Sequence, residues 1–165
     1  MLDSFMRLAS FRIRLEPAIR RVLHFYWRFA RGATLGVRAA VIDAQGRVFL
    51  IRHTYVTGWH LPGGGVETGE TLLDALKREL REEGNIELSG PAMLHGFYHN
   101  SSASRRDHVA LYVVRDFRKA GAPKLNYEIA EGGFFAIDAL PVQTTQGTQA
   151  RLEEIFRGAP VSDTW

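Results

Sequence analysis

The chain has 165 residues, of which 45% are hydrophobic and 24% are charged, and its formal net charge at pH 7 is +3. This composition is typical of one soluble globular domain with a hydrophobic core. The sequence contains no cysteine, which excludes disulfides, thiolate metal sites and a cysteine nucleophile. No apolar run reaches the roughly 20 residues of a membrane span, and the N-terminus lacks the features of a secretory signal. We therefore expect a cytoplasmic protein.

The basic character lies in the first 31 residues, which contain seven arginines against two acidic residues. Apolar side chains in residues 12–31 recur at spacings of three and four, which predicts one face of an amphipathic helix: Leu15, Ile19, Val22, Tyr26 and Phe29. We expect this N-terminal extension, residues 1–33, to pack on the following domain or to form a homodimer. A membrane surface and a nucleic acid are the less favoured partners, because basic amphipathic helices are common and no second anchoring signal is present.

From Thr34 the pattern changes to β-strands. The stretches TLGVRAAVID and RVFLIRHT flank the turn AQG and predict a hairpin. GWHLP predicts a short strand, and a glycine-rich turn then leads into a helix over residues 70–83. Further strands are predicted at AMLHGFYHN, HVALYVVRDF and GGFFAID, and TTQGTQARLEEIFRG predicts a closing helix. Residues 34–165 therefore predict one α/β domain in which helices cover a sheet.

The helix predicted over residues 70–83 gathers acidic residues near its C-terminal end. On a helical wheel, four leucines share the side that should pack on the sheet: Leu72, Leu73, Leu76 and Leu80. Glu79, Glu82 and Glu83 lie along one edge of this stripe, close to the negative end of the helix dipole. Like charges three or four residues apart cost roughly 0.2–0.5 kcal/mol per pair. A bound divalent cation would reverse this cost, and clustered carboxylates suit Mg²⁺ or Mn²⁺.

The loop before this helix, PGGG at residues 62–65, supports a ligand site. Glycines let the backbone turn sharply between a strand and a helix and approach a ligand closely. Glycine-rich loops that precede helices often bind phosphates. Three glycines alone are more often a simple turn, but the loop and the acidic helix together indicate a site for a metal ion and a phosphate.

Residues 64–86 resemble the Nudix box, whose pattern is Gly, five residues, Glu, seven residues, then Arg-Glu-apolar-x-Glu-Glu-x-Gly-apolar. The chain supplies Gly64, Glu70 and the run RELREEG at residues 78–84 with this spacing. Asn85 replaces the second glycine, and asparagine is its mildest replacement because it tolerates the left-handed conformation. GWHLPGGGVETGE and EGGFFAIDALP extend the resemblance beyond the box. It implies a Nudix-type α/β/α sandwich with a mixed sheet, preceded by the N-terminal amphipathic helix.

The resemblance also implies hydrolysis of a nucleoside diphosphate linked to another moiety, with Mg²⁺ or Mn²⁺ as the cofactor. Glu79, Glu82 and Glu83 fall at the metal-ligand positions of the family. Arg78 would hold Glu79 in orientation, and Glu70 would pair with Arg78 or support the metal. A metal-activated water would attack a phosphorus atom of the pyrophosphate.

The general base varies within the family. It is either a glutamate of the box, with Glu79 as the first candidate, or a glutamate from a later loop. Glu128 and Glu131 are the later candidates, and Glu128 is preferred slightly. For both, the alternative is a solvated loop acid.

The substrate is less clearly indicated by the sequence. Some Nudix subfamilies carry a proline or tyrosine a short distance beyond the box, where this chain has SSAS at residues 101–104. The markers that resemble those for ADP-ribose and dinucleoside polyphosphates are therefore absent, and LPGG differs from the FPQGG form associated with RNA pyrophosphohydrolases. A nucleoside diphosphate sugar is the first choice, and RNA or a nucleoside triphosphate is the alternative.

Candidate substrate-binding residues lie on both sides of the box. Gly63 and Gly64 belong to the loop, Arg52 could bind a phosphate, and Tyr98 could stack on a base. His53, Tyr55 and His99 are weaker candidates of the same kind. For all of these strand residues, the alternative is packing against neighbours or exposure to solvent.

A rival hypothesis from another class is a catalytically silent Nudix-like module that binds a nucleotide or a protein. The intact Arg78 and the three glutamates argue against it, because a silent site has no need of clustered charges. On the enzyme hypothesis, we expect Glu82→Gln to remove most turnover while leaving the fold intact.

Overall fold

The computed structural model describes residues 20, 21, 23, 25–27, 32–121 and 128–165. The chain divides into two compact units, Met1–Ala33 and Thr34–Trp165. In the first unit, residues 20, 21, 23 and 25–27 are helical, as predicted. The rest of the predicted amphipathic helix lies outside the described residues, so its packing and the homodimer stay predictions. No helix within the described part of the chain is long and apolar enough to cross a membrane.

The second unit contains strands and helices in mixed order. The strands are β1 Thr34–Val41, β2 Val48–His53, β3 Trp59–His60, β4 Ile86–Leu88, β5 Met93–His99, β6 Asp107–Val114, β7 Phe117–Lys119 and β8 Ile129–Phe135. The helices are α1 Leu72–Gly84, between β3 and β4, and α2 Gln146–Arg157, after β8.

The strands form three small sheets. β6 lies between β1, which is parallel to it, and β5, which is antiparallel to it. β2 lies between β3 and β8, both antiparallel to it, and β4 pairs with β7. The mixture of parallel and antiparallel pairs confirms the prediction of a mixed sheet.

Two apolar clusters lie on opposite faces of the central strands, because successive side chains of a strand point in opposite directions. Val37, Ala39 and Val41 of β1 join one cluster, which includes Leu76 and Leu80 of α1. Ala40 of β1 joins the other cluster, to which α2 contributes Leu152. One helix therefore covers each face, and the predicted α/β/α sandwich is confirmed.

The predicted β1–β2 hairpin is wrong beyond its turn. The turn exists, because the Asp43 carboxylate accepts hydrogen bonds from the backbone N–H groups of Gln45 and Arg47. The two strands then pair only through a bridge between Ile42 and Val48 and diverge into different sheets. An apolar run that is buried on both faces can pair with any neighbour, so sequence adjacency was a poor guide to the partner of β1.

Smaller differences follow from local chemistry. α1 begins at Leu72 because Thr71 is its N-cap, in a capping box with Asp74. β8 begins at Ile129, three residues before the predicted GGFFAID stretch. β4 has only three residues, and β7 is a separate short strand. Strands this short show no clear alternation of apolar and polar residues.

The packing face of α1 is narrower than the sequence predicted. Leu76 and Leu80 are fully buried, but Leu73 is 38% exposed. The prediction that Leu73 packs on the sheet is therefore wrong.

Candidate active site

A cleft of about 360 Å³ opens between the glycine loop and the C-terminal half of α1. It is lined from β1, from β2 and the loop after it, from β3 and from the residue before β8: Arg38, His53, Tyr55, Val56, His60, Gly63, Gly64, Gly65, Glu79, Glu83 and Glu128. Residues from six parts of the chain therefore meet at one site.

The glycine loop runs against β1. The Val37 N–H donates to the Gly64 carbonyl at 2.9 Å, and the Ala39 N–H donates to the Pro62 carbonyl at 2.9 Å. Gly63 has φ +137°, and a Cβ there would overlap the backbone of β1. A Cβ on Gly64 would overlap the Glu79 carboxylate. Glycine is thus required at position 63, where the obstacle is backbone, whereas a side chain at position 64 would displace the Glu79 carboxylate.

Arg78 forms hydrogen bonds with Glu70, with the glycine loop and with Glu79. Its Nη1 lies 2.6 Å from Glu79 Oε1, its Nε donates to Glu70 Oε1 at 2.9 Å, and its Nη2 donates to the Gly65 carbonyl at 2.9 Å. The hydrogen bond from Arg78, together with one from the Glu67 N–H, lowers the pKa of Glu70 to about 2. Arg78 therefore fixes the Glu79 side chain, as the resemblance implied.

Glu83 is the most deeply buried acid of the cleft, with a relative exposure of 7%. Its Oε2 accepts a 2.6 Å hydrogen bond from the Gly63 N–H, and its Oε1 lies 3.9 Å from His53 Nε2. Burial raises the pKa of Glu83 to about 8, although the Gly63 N–H and the charge of Arg38 act in the opposite direction. Burial also raises the pKa of Glu79. In both acids the penalty of burial exceeds the stabilisation that the surrounding groups give to the charged form.

Glu79 and Glu83 fit a hard divalent cation, because they are carboxylates of one cleft whose burial the surrounding groups only partly offset. Glu128 lines the same cleft. Glu82 differs from them: its side chain is 58% exposed and lies 3.7 Å from Arg78 Nη1, outside the cleft lining. Within the described residues, no three acidic or histidine side chains already form a group that could hold a metal ion.

Of the predicted substrate-binding residues, the structure brings Gly63 and Gly64 to the cleft and leaves the other two elsewhere. Arg52 Nη2 is bound to Glu131 Oε2 at 3.0 Å on the exposed side of β2 and β8. Tyr98 is fully buried in the cluster that contains Leu152. A ring without exposed surface cannot stack on a base, so the prediction for Tyr98 is corrected.

The two candidate bases from the later loop are separated in the same way. Glu128 reaches the cleft, and its backbone carbonyl accepts a hydrogen bond from the Thr54 N–H at 2.9 Å. Glu131 is directed to Arg52. The structure thus places only Glu128 beside Glu79 and Glu83.

Sequence reasoning missed three residues of the cleft, Arg38, Val56 and His60, and gave little weight to His53 and Tyr55. The rings of His53 and Tyr55 are 5.2 Å apart, and those of His53 and His60 are 5.8 Å apart. Burial is the main cause that lowers the pKa of both histidines, and Arg38 lowers it further. A signal was available for Arg38, because it is a lone charge inside the apolar stretch GVRAAV.

The layered fold, the glycine loop and the buried carboxylates after it together define a domain of the Nudix type. The chain matches the NUDIX domain over residues 32–156, which includes the whole cleft. The chain therefore belongs to the Nudix family, a class of hydrolases that act on phosphoanhydride bonds.

Similar proteins agree with this assignment. The structure resembles the MutT NUDIX hydrolase from Burkholderia pseudomallei, with a TM-score of 0.64, 28% identity and coverage of 74% of this chain and 98% of that chain. An ADP-ribose pyrophosphatase from Streptococcus suis 89-1591 has a TM-score of 0.58 and 23% identity, over 80% of this chain and 95% of that chain, which shows a likeness of fold.

A curated relative is the RNA pyrophosphohydrolase of Francisella tularensis subsp. mediasiatica (strain FSC147). It is 44% identical over 52 residues, which are 32% of this chain and 34% of that protein. The match thus spans about a third of the curated relative's length.

Proposed function

We propose that this protein is a metal-dependent pyrophosphohydrolase that cleaves a nucleoside diphosphate linked to another moiety. The observation that carries the proposal is the meeting of Glu79 and Glu83 with the Gly63–Gly65 backbone in one cleft. Both acids have a raised pKa through burial, as expected where a cation completes the site.

The residues of the cleft have different roles in the proposed reaction. Glu79, held by Arg78, and Glu83, held by the Gly63 N–H, would bind Mg²⁺ or Mn²⁺, with Glu82 as a third ligand. When bound, such an ion polarises phosphoryl oxygens and lowers the pKa of a water molecule. Glu128 is the candidate general base, because it lines the cleft and its carboxylate can accept a proton from a water that attacks phosphorus.

A nucleoside diphosphate sugar is the first substrate class that we propose. The subfamily markers for ADP-ribose and dinucleoside polyphosphates are absent from residues 101–104. The rings of His53, Tyr55 and His60 lie next to one another beside the cleft, and a flat nucleobase can stack on such a surface.

RNA with a 5′ triphosphate is the second candidate, together with nucleoside triphosphates. The curated relative from Francisella tularensis carries the name RNA pyrophosphohydrolase, and its match spans 52 residues. The LPGGG loop lacks the glutamine of the FPQGG form associated with such enzymes, so we rank this candidate below the first.

A phosphate-release screen tests the proposal. Wild-type protein is given nucleoside diphosphate sugars, ADP-ribose, dinucleoside polyphosphates, nucleoside triphosphates and triphosphorylated RNA, with Mg²⁺ and with Mn²⁺. The matched variants are Glu83→Gln, inside the cleft, and Glu87→Gln, an exposed acid of β4. We expect one substrate class to be cleaved by wild type and Glu87→Gln and not by Glu83→Gln. Silence of folded wild-type protein on every substrate would favour the nucleotide-binding module.

We also propose that the protein acts in the cytoplasm and forms a homodimer through residues 1–31. The basis is the amphipathic pattern of that segment. Mass measurement in solution on the full chain and on a chain without residues 1–31 tests the dimer. A monomeric mass for the full chain would contradict it.

A further inference from the structure

Arg38 is a charged residue within the buried C-terminal half of β1. Its neighbours Val37, Ala39, Ala40 and Val41 have no exposed surface, and Arg38 itself is half-buried. Burying a guanidinium is costly unless a partner compensates for the lost water. Arginine at this position of a core strand therefore calls for a physical reason.

Protein groups accept hydrogen bonds from only some of the N–H donors of the Arg38 guanidinium. Nη1 donates to the backbone carbonyls of Leu61, at 3.2 Å, and Gly63. These contacts hold the side chain against the glycine loop, but carbonyls carry no net charge. Among the described residues, no carboxylate forms an ion pair with Arg38, and Nε and Nη2 have no hydrogen-bond partner.

The other two arginines near this region are neutralised by acids. Arg78 is bound to Glu70 and Glu79, and Arg52 is bound to Glu131. Arg38 lines the cleft together with Glu79 and Glu83, and its charge acts on both of them from a distance, but no acid among the described residues forms an ion pair with it. Its fixed position and its open N–H donors are the features of a preformed anion site, because guanidinium groups bind phosphate oxygens in a bidentate manner.

We infer that Arg38 binds an anionic oxygen of the diphosphate group of the substrate. The choice of a diphosphate as the ligand rests on the proposed function. The glycine loop holds the guanidinium through Nη1, and the remaining donors receive the ligand. In the bound state the ligand supplies the direct ion-pair partner that Arg38 lacks among the described residues.

The test is binding of methylenediphosphonate, a diphosphate whose bridge cannot be hydrolysed, measured by calorimetry on the full chain. Arg38→Gln keeps an N–H donor for the loop carbonyls and removes the charge. Arg52→Gln is the matched control, since it removes an arginine that Glu131 already neutralises. We expect Arg38→Gln to weaken binding by about tenfold or more, and Arg52→Gln by less than about twofold.

A second measurement separates anion binding from a purely structural effect on the loop. Mn²⁺ affinity, followed by electron paramagnetic resonance, reports on Glu79 and Glu83 without any diphosphate. Because the charge of Arg38 acts on both carboxylates and repels a cation, we expect Arg38→Gln not to weaken this affinity by more than about threefold. If Mn²⁺ and diphosphate affinity fall together, Arg38 acts through the loop and the inference is wrong.

Three other results would also overturn the inference: wild-type protein that does not bind the diphosphonate, equal binding by wild type and folded Arg38→Gln, or an equal loss in Arg52→Gln. Because none of these measurements requires turnover, a protein that binds through Arg38 but cleaves nothing would contradict the proposed function and not this assignment.

Discussion

Two buried acidic residues on opposite sides of the sheet, Glu154 and Glu83, differ in how many hydrogen bonds and ion pairs their carboxylates form. Glu154 of α2 accepts hydrogen bonds on both oxygens, from the Tyr98 hydroxyl at 2.8 Å and from the Ser162 N–H at 3.1 Å, and Arg151 Nη2 lies 2.8 Å away. Glu83 of α1 is equally buried but accepts one backbone hydrogen bond, and no arginine in the described part of the chain forms an ion pair with it.

The difference between these acids distinguishes a structural role, for Glu154, from a ligand-binding role, for Glu83. A buried carboxylate with an arginine and two further donors is satisfied and stabilises the packing of α2. A buried carboxylate with too few donors costs stability, and such a cost is retained where a ligand or cation completes the site. Burial alone would not have distinguished Glu83 from Glu154.

The largest expected effect is on turnover. Glu83→Gln should lower kcat by at least about 100-fold, equivalent to about 2.7 kcal/mol of lost transition-state stabilisation. Glutamine can still accept the Gly63 hydrogen bond, so the fold should persist. Glu154→Gln should leave kcat per folded molecule close to that of wild type. Similar kcat losses in both variants would remove the distinction between the two acids.

Glu82 provides the next test, because it shares the box with Glu83 but is 58% exposed. We expect Glu82→Gln to lower kcat by about tenfold or more through weaker metal binding, and Glu87→Gln to have no effect. Steady-state kinetics over a range of Mg²⁺ concentrations checks this prediction. Unchanged kinetics in a folded Glu82→Gln protein would exclude Glu82 from the metal site.

Stability should respond in the opposite order. Glu154→Gln leaves Arg151, which is 3% exposed, without its counter-charge, and this should lower the free energy of unfolding by about 3 kcal/mol. Urea unfolding at neutral pH measures the change. A loss below about 0.5 kcal/mol would show that the Glu154 network is not a stabilising one.

The pH dependence of the metal-free protein gives a further contrast. The pKa of Glu83 is about 8 in the folded protein, above the ordinary value of 4.5 for a glutamate. Between these values the folded state holds a proton that the unfolded state has lost, so the free energy of unfolding falls as the pH rises. In EDTA, Glu83→Gln should remove this fall, which is on the order of 1–3 kcal/mol. If the free energy of unfolding of wild type and of Glu83→Gln changed identically with pH, the raised pKa of Glu83 would be contradicted.

The smallest expected effect concerns Tyr98. Tyr98→Phe removes one hydrogen bond to Glu154 and should lower the free energy of unfolding by about 1 kcal/mol. KM should not change, because the ring has no exposed surface. A several-fold rise in KM at unchanged stability would restore Tyr98 as a substrate-binding residue.

Local patterns predicted most of the fold. The apolar spacing of Leu76 and Leu80 predicted α1, and Asn85, with φ 52°, ends it in the left-handed conformation expected of a glycine replacement. The strand pairing could not be obtained in this way. β1 pairs with β6, which lies more than 60 residues later in the chain, and a periodic pattern carries no information about such a partner.

The sequence by itself determined the family, the α/β/α class and the positions of Glu79, Glu83 and the glycine loop, because these depend on the spacing of residues along one helix and its preceding turn. Only the tertiary structure decided which distant side chains join them. It brought Arg38 and Glu128 to the cleft, directed Arg52 to Glu131 and buried Tyr98. The reason is physical: the direction of a strand side chain is set by the sheet in which the strand pairs, and that pairing is not a local property.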